Sequence, residues 1–318
     1  MNGDASAPAG GLGTTLLTAC VPAVWGTTYL VTTELLPPDR PLLASLVRAL
    51  PAGLILLLVG RELPRGIWWW RALVLGVLNI GAFFYLLFVA AYHLPGGVAA
   101  LVGAVQPVFV LLLSAAVLGS RIRMLQVFAC LLGLGGVALL VLRPDAALDA
   151  VGVSAGLLGA ACMGTGVVFT KRWGKPDGVG LLTFTGWQLT AGGLVLLPVT
   201  LLDEGLPDAV TGSNLLGFSY LSIIGALIAY AVWFRGISRL PALTVSFLSL
   251  ASPLAATVLG WLAVGEDLSL QQLAGAAVIV AAVVLAQPRP SRHTATAPRR
   301  SEETTTSDSV ASLGGDIR

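Results

Sequence analysis

Charged side chains are scarce in this chain of 318 residues, where Asp, Glu, Lys and Arg together make up 11%. An ordinary soluble domain carries about 25%. Apolar residues account for 56% of the sequence, and its mean hydropathy is +0.88. This balance excludes a soluble globular domain and predicts an all-α integral membrane protein.

Residue types that carry catalysis or bind metals are also scarce. No Asp or Glu lies in the core of an apolar run, and the two histidines are His93, at a predicted turn, and His293. The cysteines Cys20, Cys130 and Cys162 lie within apolar runs and show no metal-binding or disulfide spacing. No nucleotide-binding Walker sequence is present. We therefore expect no cofactor, no metal, no ATP-driven pump and no enzyme, and a proton relay lacks its usual carboxylate.

What the sequence does contain is ten apolar runs of about the length that crosses a membrane. They fall at 14–32, 42–60, 72–92, 96–118, 125–142, 151–170, 179–202, 215–236, 242–264 and 270–286. Residues 1–13 hold no Lys or Arg, so we interpret the first run as a retained span behind a cytoplasmic tail rather than a signal peptide. Residues 287–318, rich in Ser, Thr, Arg and Pro, are predicted to form a disordered cytoplasmic extension.

Basic residues indicate the orientation of these spans. The segments on one side carry only Arg40 and Arg143, whereas the other side holds nearly all the remaining basic residues: Arg61, Arg65, Arg71, Arg121, Arg123, Lys171, Arg172, Lys175, Arg235, Arg239, Arg289, Arg292, Arg299 and Arg300. Because basic residues favour the cytoplasmic side, both termini are predicted to be cytoplasmic.

The two halves of the chain repeat one another. Residues 94–141 align without a gap with 240–287, which pairs Pro107 with Pro253, and a second stretch pairs Arg48 with Gln188. Five spans separate the two copies, so the second copy is threaded upside down. The prediction is ten transmembrane helices in two inverted five-helix repeats, 14–142 and 151–286.

The paired prolines are expected in the middle of their helices. There each would free a carbonyl four residues earlier, that of Gly103 or Ser249. Freed backbone groups in a bilayer face protein or a water-filled cavity, so we interpret Pro107 and Pro253 as hinges beside a binding site. The alternative is a kink that serves only packing.

Polar and aromatic side chains inside the spans are the candidate binding residues. Arg48 is the basic residue well inside a span: an anchor for a substrate carboxylate, a structural pin at the cavity mouth, or a side chain that reaches back to the outer surface. Aromatic rings with a polar edge suit a pocket wall as well as packing. The predicted substrate-binding set is Trp25, Tyr29, Arg48, Asn79, Gln106, Gln188, Tyr230, Trp233 and Ser249.

The order of these motifs resembles one family. The carriers are 23–29 (AVWGTTY), 48–53 (RALPAG), 233–237 (WFRGI), 249–253 (SLASP), 262–266 (LAVGE) and 272–275 (QLAG). Together they are similar to the EamA-type branch of the drug/metabolite transporter superfamily, over roughly 14–287. Gly119-Ser120 replaces the usual Gly-Glu, and Met163 or Gly164 replaces a tryptophan. The resemblance implies a central cavity and export of metabolites such as amino acids.

The sequence thus predicts a multi-pass transporter of small organic metabolites that works by alternating access, exporting amino acids or related compounds. Its partners would be a small-molecule metabolite and the lipid bilayer, with a homodimer allowed and no nucleic acid. Arginine far outnumbers lysine (Lys171 and Lys175), which is typical of GC-rich bacterial genomes and favours a bacterial cytoplasmic membrane. The alternatives are a broad-specificity efflux carrier for drugs or cations, a non-transporting sensor or partner subunit, and, least favoured, a membrane enzyme.

Overall fold

The fold is helical throughout the residues that the computed structural model describes, which are 11–141, 149–207, 209–264 and 269–286. Within these ranges no strand occurs. The helices are α1 Leu12–Gly26, α2 Thr28–Leu35, α3 Pro41–Gly60, α4 Trp68–Gly76, α5 Ala82–His93, α6 Gly96–Gly103, α7 Gln106–Leu118, α8 Met124–Val141, α9 Ala150–Trp173, α10 Leu181–Asp203, α11 Gly212–Ser222, α12 Ala229–Arg239, α13 Ala242–Leu248, α14 Ala251–Val264 and α15 Leu270–Ala286. Two π-helical segments, Val77–Gly81 and Ile223–Ile228, join α4 to α5 and α11 to α12.

Eight helical stretches in the described ranges are long and apolar enough to cross a membrane, which makes this a multi-pass membrane protein. They begin and end close to eight of the predicted runs, although the third begins at Trp68 rather than at residue 72. The fifth and tenth predicted spans are shorter apolar helices, Met124–Leu140 and Leu270–Ala286. The count of ten spans therefore stays a prediction. Residues 1–10, Glu266 and the predicted C-terminal tail at 287–318 lie outside the described residues, and α1 begins at Leu12, inside the predicted N-terminal tail.

The expectation that Pro107 and Pro253 sit mid-helix is wrong. Pro107 lies in the first turn of α7 and Pro253 in the first turn of α14, each after a short turn that breaks the helix. Proline is tolerated in a first turn because the N–H that it lacks would have no intrahelical partner there. At these breaks the backbone forms tighter hydrogen bonds, between residues three positions apart. The Val105 N–H donates to the Val102 carbonyl, and the Ser252 N–H donates to the Ser249 carbonyl. The spans are interrupted helices, not kinked ones.

Pairs of long helices pack side by side along the bundle. Helix α3 lies along α10 and α8 along α15, while α9 contacts both α5 and α7, and α1 contacts both α12 and α14. One large apolar core, which includes Phe84, Phe88, Trp233 and Phe247, joins most of these helices. The core surrounds the point where the interrupted helices meet.

Polar contacts fix α3 against α10 at both ends. The Glu204 carboxylate, just past α10, accepts the backbone N–H groups of Leu42 (2.6 Å) and Leu43 (2.8 Å) at the start of α3. These N–H groups lack partners within their own helix, so the carboxylate caps α3. At the opposite end the Trp187 indole donates to the carbonyl of Glu62 (2.7 Å). Helices α3 and α10 are thereby held as one unit.

The close approach of α3 and α10 depends on glycine. A Cβ atom added to Gly193 of α10 would lie 2.8 Å from the Cα atom of Leu50 in α3, nearer than real side chains come. Gly135, in the middle of α8, has open space at the same point. The first glycine is therefore required for packing, and the second is not.

We predict that Gly193→Ala lowers the unfolding temperature of the purified protein, because overpacking costs about 1–3 kcal/mol. Gly135→Ala is the matched control and should leave that temperature unchanged or raise it, since alanine favours helices by up to about 1 kcal/mol. Tryptophan fluorescence during heating would measure both. Equal melting of the two variants would contradict the packing assigned to Gly193.

Candidate functional site

A cavity lies inside the bundle where the two interrupted helices meet. It contains about 800 Å³ of atom-free space, a figure that includes the open space at its mouth. Six of the residues predicted from sequence to bind substrate or act as hinges line it: Trp25, Tyr29, Arg48, Gln106, Ser249 and Pro253. The cavity is the candidate functional site.

The rest of the wall is made of residues that the sequence analysis did not select. Most are small or apolar: Pro22, Phe83, Leu87, Ala90, Ala99, Ala100, Gly103, Ala104, Gly156, Gly159, Ala160 and Met163, with Ser252 beside the second break. Gly156, Gly159 and Ala160 recur at helical spacing and so share one face of α9. This pattern of small side chains could have indicated, from sequence, a face of α9 that borders open space. A smooth wall of this kind leaves room for a ligand without supplying charge.

The cavity reaches from the breaks towards one end of the bundle. Tyr29 near the end of the first span, Ala90 near the end of α5 and Gly156 near the start of α9 all line it. We call the end of the bundle where these elements meet the cavity end. The opposite end, where α7, α9 and α12 finish, is called the latched end.

Arg48 is held by neutral groups. It is 1% exposed, and its Nη2 atom donates to the carbonyl of Gly225 (3.2 Å), while Nη1 lies 3.4 Å from the Thr28 hydroxyl. Its guanidinium carbon lies 4.5 Å from the centre of the Phe84 ring, a cation–π contact. It therefore points inward and does not reach the surface. Nε has no hydrogen-bond partner, and no described carboxylate is ion-paired with Arg48.

The Gly225 carbonyl belongs to the second π-helical segment. It also accepts the indole N–H of Trp25 (2.9 Å), so one backbone oxygen joins α1, α3 and α11–α12. A π-helical turn changes the backbone hydrogen-bond spacing and is frequent at functional sites. No pattern in the sequence predicts this π-helical turn.

The first π-helical segment occupies the matching position in the other half of the chain. Val77 pairs with Ile223 at the same offset that pairs Leu94 with Leu240, and Asn79 then pairs with Gly225. Both π segments contact the helix that carries the matched polar residue of the other half: Arg48 meets Gly225, and Gln188 meets Asn79.

Asn79 and Gln188 do not line the cavity. The Asn79 amide donates to Gln188 (2.9 Å) and to the Thr170 hydroxyl (3.2 Å), and both amide side chains are fully buried. Such polar pairs hold membrane helices together. The structure therefore gives these two residues a packing contact between α10 and the α4–α5 span, separate from the cavity.

Three further predicted residues lie behind the cavity wall. Tyr230 and Trp233 are buried, with ring centres 4.9 Å and 5.0 Å from that of Trp25, and the Tyr230 hydroxyl donates to the Asn79 carbonyl (3.2 Å). Pro107 is buried next to Gln106 and does not line the cavity. Tyr230 and Trp233 therefore support the Trp25 side of the site.

Two cations close the latched end. The Lys171 amine donates to the carbonyls of Ile237 (3.0 Å) and Leu240 (2.9 Å) at the end of α12. Arg172 donates to the Val117 carbonyl in the last turn of α7 (2.8 Å). The last carbonyls of a helix lack partners and carry partial negative charge, so cations stabilise them. The end of α9 thus joins α7 and α12.

A family model agrees with this architecture. The EamA-like transporter family matches residues 13–142 and again 150–286. The chain belongs to this family of transporters. Each matched range contributes residues to the cavity wall, so the family match covers the cavity as well as the helices.

Individual relatives extend the comparison. The chain is 51% identical to Protein PecM of Dickeya dadantii over 84% of this chain and 89% of that protein. It is 31% identical to the uncharacterized inner membrane transporter YedA of Escherichia coli K12, over 82% and 86%. A solved crystal structure with 23% identity superposes with a TM-score of 0.70, over 86% of this chain and 97% of that one, which shows the fold alone.

We predict that Asn79 and Gln188 are coupled energetically. A double-mutant cycle of Asn79→Leu and Gln188→Leu should give a coupling of about 0.6–2 kcal/mol, as interhelical hydrogen bonds in membranes do. Unfolding of the purified protein would supply the four free energies. Strict additivity would show that the pair contributes nothing to helix association.

Proposed function

We propose that this protein carries small organic metabolites, amino acids or related compounds among them, out of the cell across a bacterial cytoplasmic membrane. The observation that carries the proposal is the cavity at the meeting point of two interrupted helices, in a member of a transporter family. Interrupted helices around a central site are a common construction in secondary transporters. Substrate and direction are parts of the proposal.

We propose further that the chain forms ten spans in two inverted repeats, with α8 and α15 as the fifth and tenth and both termini in the cytoplasm. Matched features of the two halves support this. The break after Gly103 lies within one residue of the position that matches the break after Leu248, the two π segments pair, and the Arg48–Gly225 contact pairs with that of Gln188 and Asn79. In this topology the cavity end faces outwards.

Alternating access is the mechanism that we propose for this architecture. The two halves differ in the conformation that the structure shows: α6 lines the cavity with Ala99, Ala100 and Gly103, whereas its counterpart α13 is buried along its whole length. If the halves exchange these conformations, access moves from the cavity end to the latched end. The breaks before Pro107 and Pro253 would then act as hinges.

The latch at the end of α9 would have to open in the second state. Lys171 and Arg172 bind α12 and α7 only while the three helix ends stay together. At the matching positions of the first half stand Thr33 and Glu34, neither of which can donate from a cation. The latch contacts would therefore stabilise the conformation that the structure shows over its counterpart.

Loss of the latch should expose the latched end. Thr18, 1% exposed and packed against Gly236, would be replaced by cysteine in a cysteine-free background. Adding Lys171→Met and Arg172→Met should speed its modification by a thiol reagent about tenfold, because charge-assisted hydrogen bonds are lost. The matched control is Lys175→Met, since Lys175 contacts only Val179 nearby. An unchanged rate would remove the latch from the mechanism.

Export itself is tested by untargeted mass spectrometry of the medium from cells that overproduce the protein. One or a few metabolites should be enriched relative to a folded variant with both Pro107→Ala and Pro253→Ala, because a continuous helix would stiffen the breaks. Each single replacement should slow export. Full flux in both single variants would refute the hinges. No enriched metabolite would favour uptake or a non-transporting sensor or partner subunit.

The efflux of apolar cations is the less favoured alternative. The described cavity wall contains no acidic side chain and one cation, Arg48. A positively charged drug would meet like charge in a low-dielectric site. Cells that gain resistance to cationic dyes through this protein would reverse that judgement.

A further inference from the structure

We propose that the cavity selects its substrate by a carboxylate group, bound jointly by Arg48 and Gln106, with the remainder of the molecule apolar. The proposal rests on the transport function proposed above, because it concerns the same cavity. It names the class of molecule: an organic acid that binds as its anion.

The charge on Arg48 is the first step of the argument. Its described contacts are a carbonyl, a hydroxyl and an aromatic ring, so nothing seen there cancels the charge. A charge buried at the depth of a membrane is costly unless paired, by several kcal/mol. The Nε atom of Arg48 is buried without a partner, and the side chain lines the cavity. A bound anion would supply both the missing charge and the missing acceptor.

Gln106 provides a second donor. Its side chain is 6% exposed, lines the same cavity, and has a buried Nε2 atom without a hydrogen-bond partner. A buried polar group left unpaired is destabilising, and buried polar groups in proteins nearly always have a hydrogen-bond partner. Both unpaired atoms are donors. A carboxylate offers acceptors only, so it satisfies both.

The backbone adds to the same preference. Gln106 is the first residue of α7, a helix of 13 residues, so the positive end of the α7 dipole lies close to the Gln106 side chain. The helix end supports the site but would not define one without the two unpaired side-chain donors.

The remainder of the wall describes the rest of the molecule. Trp25 and Phe83 present aromatic rings, and the small residues of α6 and α9 leave a smooth apolar face. The described wall has no carboxylate that could pair with an ammonium group. A flat apolar or aromatic body with a single carboxylate and no amino group therefore matches the site best, which narrows the metabolites proposed above to organic acids and disfavours zwitterionic amino acids.

The test compares three molecules with one body on the purified full-length protein: phenylacetate, its neutral amide phenylacetamide, and the cation phenethylamine. Acetate and benzoate extend the carboxylates to smaller bodies. Each would be titrated at neutral pH while the unfolding temperature is followed, since a ligand of the folded state raises it. We expect carboxylates to stabilise the wild type, with the amide and the cation at least tenfold weaker.

Variants separate the two donors. Arg48→Met, which keeps the shape and removes the charge, should weaken the best carboxylate at least tenfold, and Arg48→Lys should weaken it less. Gln106→Leu should weaken it several-fold without making the cation bind. Arg123→Met, which removes an exposed arginine, is the matched control and should bind as the wild type does.

The proposal is wrong if none of the carboxylates stabilises the wild type more than the amide, or if Arg48→Met binds them equally well. Should Arg48→Met fail to fold, the Arg48→Lys and Gln106→Leu titrations decide alone. Failure of transport is a separate result: carboxylate binding without any exported metabolite would keep this site and refute export. Export of a non-acidic metabolite by Arg48→Lys at the full rate would refute the site and keep transport.

Discussion

Every backbone N–H and C=O group of a membrane span must find its partner inside the protein, because lipid offers none. Continuous helices satisfy this rule, and most of the described chain obeys it. The departures in the described spans are few: breaks at Thr27, after Gly103 and after Leu248, and two π-helical segments. The last two breaks border the cavity, and residues on both sides of Thr27, Trp25 and Tyr29, line it as well. The breaks and the cavity thus lie together, because irregular backbone and an internal cavity must both be enclosed by protein rather than exposed to lipid.

The two halves place different chemistry at one matched position. Arg48 contacts the π segment of the second half, and Gln188 contacts that of the first half. The Gln188–Asn79 pair is a contact between two neutral amides, and neither residue lines the described cavity. Both contacts leave a buried donor without a partner, Nε of Arg48 and Nε2 of Gln188, but of the two residues Arg48 alone lines the described cavity. The matched residues thus differ in place as well as in chemistry: Gln188 packs between helices, and Arg48 lines the cavity.

Much of this could be predicted from sequence because its signals are long or chemically distinct. Apolar length revealed the helices, and the rarity of an intramembrane cation selected Arg48, which lines the cavity with Trp25, Tyr29, Gln106 and Ser249. The role of these residues in binding stays a prediction. The prolines were recognised as interruptions, but their place in a first turn was missed because a single proline fits either position.

Other features leave no local signal. Alanines and glycines of the cavity wall resemble those that pack helices, since what distinguishes them is the space opposite. The π segments have ordinary apolar sequences, so their altered hydrogen bonding depends on tertiary contacts. Asn79 and Gln188 were predicted as binding residues because sequence shows a polar group without its partner. Here each is the partner of the other.

The central claim is that the cavity is reached in turn from each side of the membrane. Gly103 lines it and has open space for a side chain, so cysteine fits there. In a variant without Cys20, Cys130 and Cys162, Gly103→Cys would be treated with a membrane-impermeant thiol reagent applied to one face at a time. Modification from both faces is the predicted result. Modification from one face only, or from neither, would contradict alternating access.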